Sequence, residues 1–440
     1  MDRATTRSQS SNAVNFATFY PSGSTSLNGF ATAVLRGSLI LAVLCSLMIA
    51  ERSAHAQSMN VLYNFPENSI DDGAGPIAGL TADAAGNLYT TTYLGGQYSH
   101  GSVVELSPDA GGWNATTLYN FTGGADGSRP AYGPLIFDNS GNLYGVTNLG
   151  GAYGYGTVYE LSPSAGGSWS ETVLYSFPND PYNSYPTNGL IVDSAGNLYG
   201  TLYDWLDSKA QVGAVFELSP SNGNWTENVI YTFHPGNDAG LTMDAAGDIF
   251  GIGAINGQSD VFELTPNGQG GFEKHVIYVF PQTPDNENID GTLVLDQSGN
   301  LYGTTGGDLS SADGGTVYKL SLSAERKLWT YSVIYAFQTC AHCQNGYGGY
   351  EPVAGVTLDP FGNIYGTTTW GGAYGGGVVF MLVPSEGEIP PYREDVLVFF
   401  NGTNGSSPYG QLIRDSTGNL YGTTAQGGTM GAGNAFEVTP

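Results

Sequence analysis

The chain has 440 residues, among them 66 glycines and 29 tyrosines; only 12% are charged, and acidic residues outnumber basic ones 39 to 12. That composition excludes a helical bundle and a disordered chain and points to a turn-rich β protein. Because the acidic excess runs through the whole sequence, a phosphate backbone would be repelled, which excludes nucleic acid as a partner.

Residues 1–56 have the pattern of a leader with an export signal. Arg36 precedes the apolar run from Leu39 to Ala50, and Ala54-His55-Ala56 is a small-x-small cleavage pattern that predicts a mature start at Gln57. The apolar run is too short to cross a bilayer as a helix. The polar stretch before Arg36 is most simply explained by a start codon placed too early. From Gln57 onward, 37 acidic against 8 basic residues leave a formal charge of about −29. No later segment is long and apolar enough to anchor the chain in a membrane. The expected product is an exported monomer, periplasmic or extracellular.

Residues 57–440 are expected to form one domain. It opens on MNVLYNF, 59–65, a short β-type run. An Asp-x-x-Gly-Asn/Asp-Leu/Ile-Tyr/Phe signature then starts at Asp83, Asp138, Asp193, Asp244, Asp296, Asp359 and Asp415, roughly every 55 residues. Each copy has an apolar run before the Asp (a), the NLYGT-like run (b), a glycine-rich loop, a GTVYELSP-like run (c), and a run led by an aromatic, such as WSETVLYSF (d). The Asp carboxylate can accept a backbone N–H two residues on, and the Gly supplies positive φ, so the signature predicts an a–b hairpin turn. Runs b and d are apolar at neighbouring positions, which predicts sheets covered on both faces, as in propeller blades.

The last copy ends after its c run at NAFEVTP and lacks a d strand, whereas MNVLYNF is a d strand without its own copy. The two halves predict a closed seven-bladed β-propeller, four antiparallel strands per blade, with 59–65 completing the C-terminal repeat. An open solenoid gives no reason for such a split.

The alternation of turns places the a–b and c–d turns on one face and the b–c loops and d–a crossings on the other. The second face carries nearly all the variation, and the binding candidates with it. These are Tyr153 and Tyr155, then Tyr203, Asp204, Trp205 and Asp207, then Trp370 and Tyr374. Flat rings stack on sugars while carboxylates accept hydroxyl hydrogen bonds; the competing reading has these rings packed on adjacent loops. Trp113, Trp169, Trp225 and Trp329 recur at the head of run d and are expected to pack, as is the Tyr or Phe six residues after each signature Asp. Among the crossings, DNENID offers Asp285, Glu287 and Asp290 as oxygen ligands for calcium, although the spacing is not that of an EF-hand. No other cofactor is expected. Cys340 and Cys343, in TCAHC, are expected to form a local disulfide; half of a metal site with His342 is the alternative.

The runs GLIVDSAGNLYGT, YGTTTWGGAYGGGVVF and TVLYSF make the mature chain resemble the GloVer-type tandem repeat of bacterial exported proteins. The resemblance implies a repeat scaffold and carries no catalytic residues. The sequence has no His-Glu-x-x-His, Gly-x-Ser-x-Gly, phosphate loop or dinucleotide fingerprint. The favoured expectation is a non-catalytic exported protein that binds glycan or a surface or envelope protein through the variable face. The alternatives are a polysaccharide hydrolase or lyase working through paired carboxylates, and a structural envelope or matrix protein.

Overall fold

A computed structural model describes residues 57–67, 73–130, 132–180, 184–203, 212–234, 239–281, 289, 291–307, 313–323, 328–339, 348–385, 387 and 391–440. Among them there is no helix, and seven antiparallel sheets form the ring of a seven-bladed propeller. The third blade shows the plan: Ile191–Val192 (a), Leu198–Tyr203 (b), Gly213–Ser221 (c) and Asn224–Phe233 (d), each strand paired with the next. The seventh consists of Ile413–Arg414, Leu420–Thr424, Gly431–Thr439 and, as its d strand, Ser58–Pro66. The register Met59↔Val438 and Val61↔Phe436 closes the ring as the split repeat predicts.

The signature turn carries more than a single hydrogen bond. At Asp193, Oδ1 accepts the N–H groups of Ala195 (2.9 Å) and Asn197 (2.9 Å), while Oδ2 accepts the Asn197 amide (2.8 Å) and the Tyr199 hydroxyl (3.1 Å). Gly196 at φ 85° provides the left-handed step. Asp83, Asp138, Asp296, Asp359 and Asp415 repeat the arrangement. Burial works against the charge, yet the donated hydrogen bonds hold Asp83, Asp138, Asp296 and Asp415 below the ordinary aspartate value. The fourth blade substitutes Asp248 for the Asn and Phe250 for the Tyr, so two donors are gone. There burial and the Asp244 charge push Asp248 up.

The apolar core lies between blades. Seven buried clusters each draw on two consecutive blades, and the one uniting the last blade with the first contains Phe65, Leu80, Leu88, Val104 and Ala435. The ring six residues after the signature Asp meets the aromatic that heads strand d of the next blade, as Tyr89 meets Trp169 (6.4 Å) and Tyr199 meets Phe272 (5.9 Å). Packing is thus the role of both recurring aromatic positions. Strand b is buried on both faces as expected. Strand d departs from the expectation: along Gly112–Asn120 exposure alternates, because d is the outermost strand and half of it faces water. Its terminal Phe is the deeply buried part, at Phe65, Phe121, Phe177, Phe280 and Phe400.

The outer rim adds a polar contact between blades. Tyr175 donates to Glu227 (3.4 Å), Tyr335 donates to Glu394 (2.9 Å), and Tyr278 stacks on Tyr331 at 4.5 Å. The corresponding Glu171 has one carboxylate oxygen buried with no hydrogen-bond partner. Burial, reinforced by the Asp126 charge, pushes its pKa up to about 7.

Two outcomes are expected for the 57–440 protein. Phe65→Ala should cost about 3–5 kcal/mol of unfolding free energy, measured by urea denaturation, since it opens the cluster that closes the ring; an unchanged midpoint would refute closure by this strand. Glu171 binds its proton more tightly folded than unfolded, so its contribution is complete below about pH 4.5 and is lost as pH rises through about 7. Allowing for solvent screening, Glu171→Gln should remove about 1–2 kcal/mol of that decline, visible as a flatter melting temperature between pH 4.5 and 7.5.

Candidate ligand-binding face

The b–c loops of blades 1, 2, 6 and 7 share one rigid backbone. In blade 6 the Gly377 N–H donates to Gly371 O (3.1 Å) and the Gly375 N–H to Gly372 O (3.4 Å). The same bonds recur as Gly433 to Gly427, Gly156 to Gly150 and Gly101 to Gly95. Blade 4 instead turns tightly through Asn256 (φ 52°) and Gly257 (φ 77°).

Each of these loops is latched to the next blade. The crossings carry the triplets Ala74-Gly75-Pro76, Ser128-Arg129-Pro130, Ser184-Tyr185-Pro186, Tyr350-Glu351-Pro352 and Ser406-Ser407-Pro408. The central residue is left-handed in all five, at φ 66°, 55°, 59°, 59° and 55°. Its N–H donates to the preceding blade's loop and its carbonyl accepts from its own strand b. Glu351 N–H, for example, reaches Gly314 O (2.8 Å) while Thr369 N–H reaches Glu351 O (3.0 Å). The proline lies against the glycine that ends the preceding loop, and a Cβ on Gly101, Gly156, Gly315, Gly377 or Gly433 would crowd it.

A left-handed residue before proline is unfavourable for anything but glycine. Four of the five latches nevertheless carry side chains, and those differ in chemistry. Arg129 lies 5.4 Å over the Tyr93 ring, which in turn is 5.9 Å from Tyr132. Tyr185 meets Tyr155 edge-on at 5.3 Å. Glu351 follows Tyr350, which pairs with Trp370 across two short strands, and the indole beside it lowers its carboxyl; burial outweighs that effect and raises the carboxyl above its ordinary value.

Beyond the latches, where the chain enters the a strands, residues of several blades line a cavity of about 280 Å³ on the ring axis. Its polar lining comes from Asn188, Thr292, Gln411, Tyr132 and Tyr409, with Gly79, Gly133, Gly355 and Gly410 forming the walls. Among the described residues no charged side chain lines it. Burial and the Glu351 charge raise Tyr409. The Glu351 charge thus acts on one of the lining residues, and Trp370 beside Glu351 is 42% exposed.

The predicted site residues separate on this geometry. Trp370, Tyr374 and Tyr153 are exposed on the variable face. Tyr155 is half-buried and packs edge-on against Tyr185 of the next blade, and half-buried Tyr203 ends a b strand, its N–H donating to Tyr185 O. Asp204, Trp205 and Asp207, the calcium candidates Asp285, Glu287 and Asp290, and Cys340 with Cys343 lie outside the described residues. Among the described residues no group of three or more His, Cys, Asp or Glu could hold a metal, and no helix is long and apolar enough to cross a membrane. Asp126, in a crossing, accepts from Thr122 and Tyr119 and so stabilises its own turn. Sequence reasoning missed Glu351, Arg129, Tyr132 and Tyr409; the recurring x-Pro triplet was the signal that leads to them.

The latch can be tested with two glycines of one loop. Gly375→Ala, where a Cβ meets open space, should cost about 1 kcal/mol for its left-handed backbone alone. Gly377→Ala, which would press a Cβ onto Thr368 O and Pro408, should cost at least about 2 kcal/mol more in chemical denaturation.

Comparison with solved structures finds propellers of low identity. A protein described as an oxidoreductase (glucose dehydrogenase) from Thermus thermophilus is 13% identical, with 87% of this chain and 100% of that chain covered and a TM-score of 0.42. A protein from Lactobacillus plantarum is 15% identical (73% and 84% covered, TM-score 0.46). The NanB sialidase of Streptococcus pneumoniae is 9% identical (86% and 70% covered, TM-score 0.43). None of these transfers an activity to this chain. No curated protein matches it in sequence. The profile of the Gloeobacter/Verrucomicrobia repeat matches residues 51–252 and 238–440. The chain belongs to the Gloeobacter/Verrucomicrobia repeat family.

Proposed function

We propose that this is an exported, non-catalytic protein that binds a neutral glycan through the variable face, with the Trp370–Glu351 pair and the axial cavity as the centre of the site. The pair is the observation that carries the reading. An exposed indole offers a flat apolar surface for a sugar ring, and the carboxylate beside it accepts hydroxyl hydrogen bonds. The cavity continues this chemistry with amide and hydroxyl groups and space for about one sugar ring. A strongly acidic chain disfavours anionic ligands.

Hydrolysis or lysis of a polysaccharide is the rival. A glycosidase requires two carboxyl groups facing the scissile bond, and among the described residues the cavity lining supplies none. Export rests on the leader pattern alone.

The 57–440 protein should bind at least one neutral glycan on an array without releasing product. Trp370→Ala should weaken that binding at least tenfold, and Glu351→Gln severalfold, with unchanged melting temperatures. Product formation would favour the enzyme, and a silent array would favour a protein partner or a structural role.

A further inference from the structure

Four of the rigid b–c loops hold up one side chain each at the same loop position: Tyr374 in blade 6, Met430 in blade 7, Tyr98 in blade 1 and Tyr153 in blade 2. Their exposures are 67%, 54%, 48% and 64%. The four blades are consecutive around the ring because the N-terminal strand joins the seventh to the first. Blade 4, on the opposite side, has only its tight turn.

Nothing in the fold requires these side chains. The loop backbones satisfy their own hydrogen bonds, and among the described residues none of the four side chains has a hydrogen bond or a ring contact. Glycine follows Tyr153 and Tyr374, and a Cβ on Gly154 or Gly375 would meet nothing within 4 Å, so the space on that side of each ring is open. An apolar group held in water on a rigid loop gains nothing for folding.

We infer that these four side chains form an arc of separate platforms for one extended, neutral polysaccharide chain, outside the axial site and resting on the glycan reading above. Three observations select this occupant. None of the loops 95–101, 150–156, 371–377 and 427–433 contains Lys, Arg, Asp or Glu, and the charge beside one of them, Glu67 next to Gly431, is acidic, which favours an uncharged over an anionic ligand. The platforms are spaced one per blade, whereas a protein partner needs a contiguous apolar patch. A polymer of repeating sugars presents a repeating apolar ring face to a repeating set of side chains. Weak contacts of this kind multiply along one chain.

The test compares chain lengths. The 57–440 protein is assayed against xylan, β-1,3-glucan, β-1,4-glucan and α-1,4-glucan, each as polymer and as disaccharide, by affinity electrophoresis and calorimetry. The polymer that binds should do so at least 100-fold more tightly than its own disaccharide. The combined variant Tyr98→Ala, Tyr153→Ala, Tyr374→Ala, Met430→Ala should remove that advantage and leave disaccharide binding and the urea midpoint unchanged. Trp370→Ala should weaken both. If the combined variant keeps the polymer advantage while Trp370→Ala loses binding, the arc is refuted and the axial site stands. If neither polymer nor disaccharide binds, both readings fail. If the four substitutions abolish self-association of the protein instead, the occupant is a second copy and the arc proposal is overturned.

Discussion

No blade of this protein can bury its own apolar surface. Each sheet has an inner strand of two residues and an outer strand half in water, and every large buried cluster is assembled from two consecutive blades. Burial at about 25 cal/mol per Å² therefore becomes available only when neighbours are in place. It becomes complete only when the last blade meets the first. The N-terminal strand Ser58–Pro66 makes that step covalently dependent on both chain ends, with Phe65 in the final cluster and the Asn64 side chain accepting the Thr429 N–H at 2.9 Å. A ring built this way holds its loops in fixed mutual positions, as a multi-blade site demands.

The two faces solve different problems. On the signature face one carboxylate satisfies four donors in each of six blades, which fixes the a–b turn and ties the buried Tyr to it. On the other face the backbone does the corresponding work through the latch. There the proline and the opposing glycine must approach so closely that neither position tolerates change, but the side chain between them is unconstrained. Constant backbone beneath variable side chains is how a scaffold carries a site. The fourth blade is the exception on both faces. It has lost two donors of its signature turn, and it buries Asp260 against Lys274 (3.2 Å) where the other blades carry an uncharged residue, Ser102, Thr157, Ala214, Thr316, Val378 or Asn434.

What could be read from the sequence was what is local and repeated. The Asp-x-x-Gly turn, the four-strand period and the divided last blade each lie within a short window, and the Trp at the head of strand d declared itself structural by recurring. The site was harder to see because its parts are far apart in the chain. Glu351 precedes Trp370 by a whole crossing and strand, and no spacing rule joins them. Parity also hid the difference between Tyr153 and Tyr155: two residues apart in one glycine loop, one stands in water and the other turns into the blade 2–3 contact. Strand d looked covered on both faces because its apolar end lies deep while its polar beginning is at the rim.

The latch also gives a physical reason to place function on this face. Gly75 shows that glycine fits the left-handed position before proline, and 66 glycines show how freely the sequence uses it. Arg129, Tyr185, Glu351 and Ser407 occupy the same backbone at a cost of about 1–2 kcal/mol each, a sizeable part of the roughly 5–15 kcal/mol that holds a domain together. Tyr185 recovers some of that cost by packing on Tyr155. Arg129 and Glu351 recover less, since the first rests on a partly exposed ring and the second is a carboxylate raised by burial. Backbone strain in folded proteins clusters at binding and switch regions, and on this molecule it sits in the latches of the variable face.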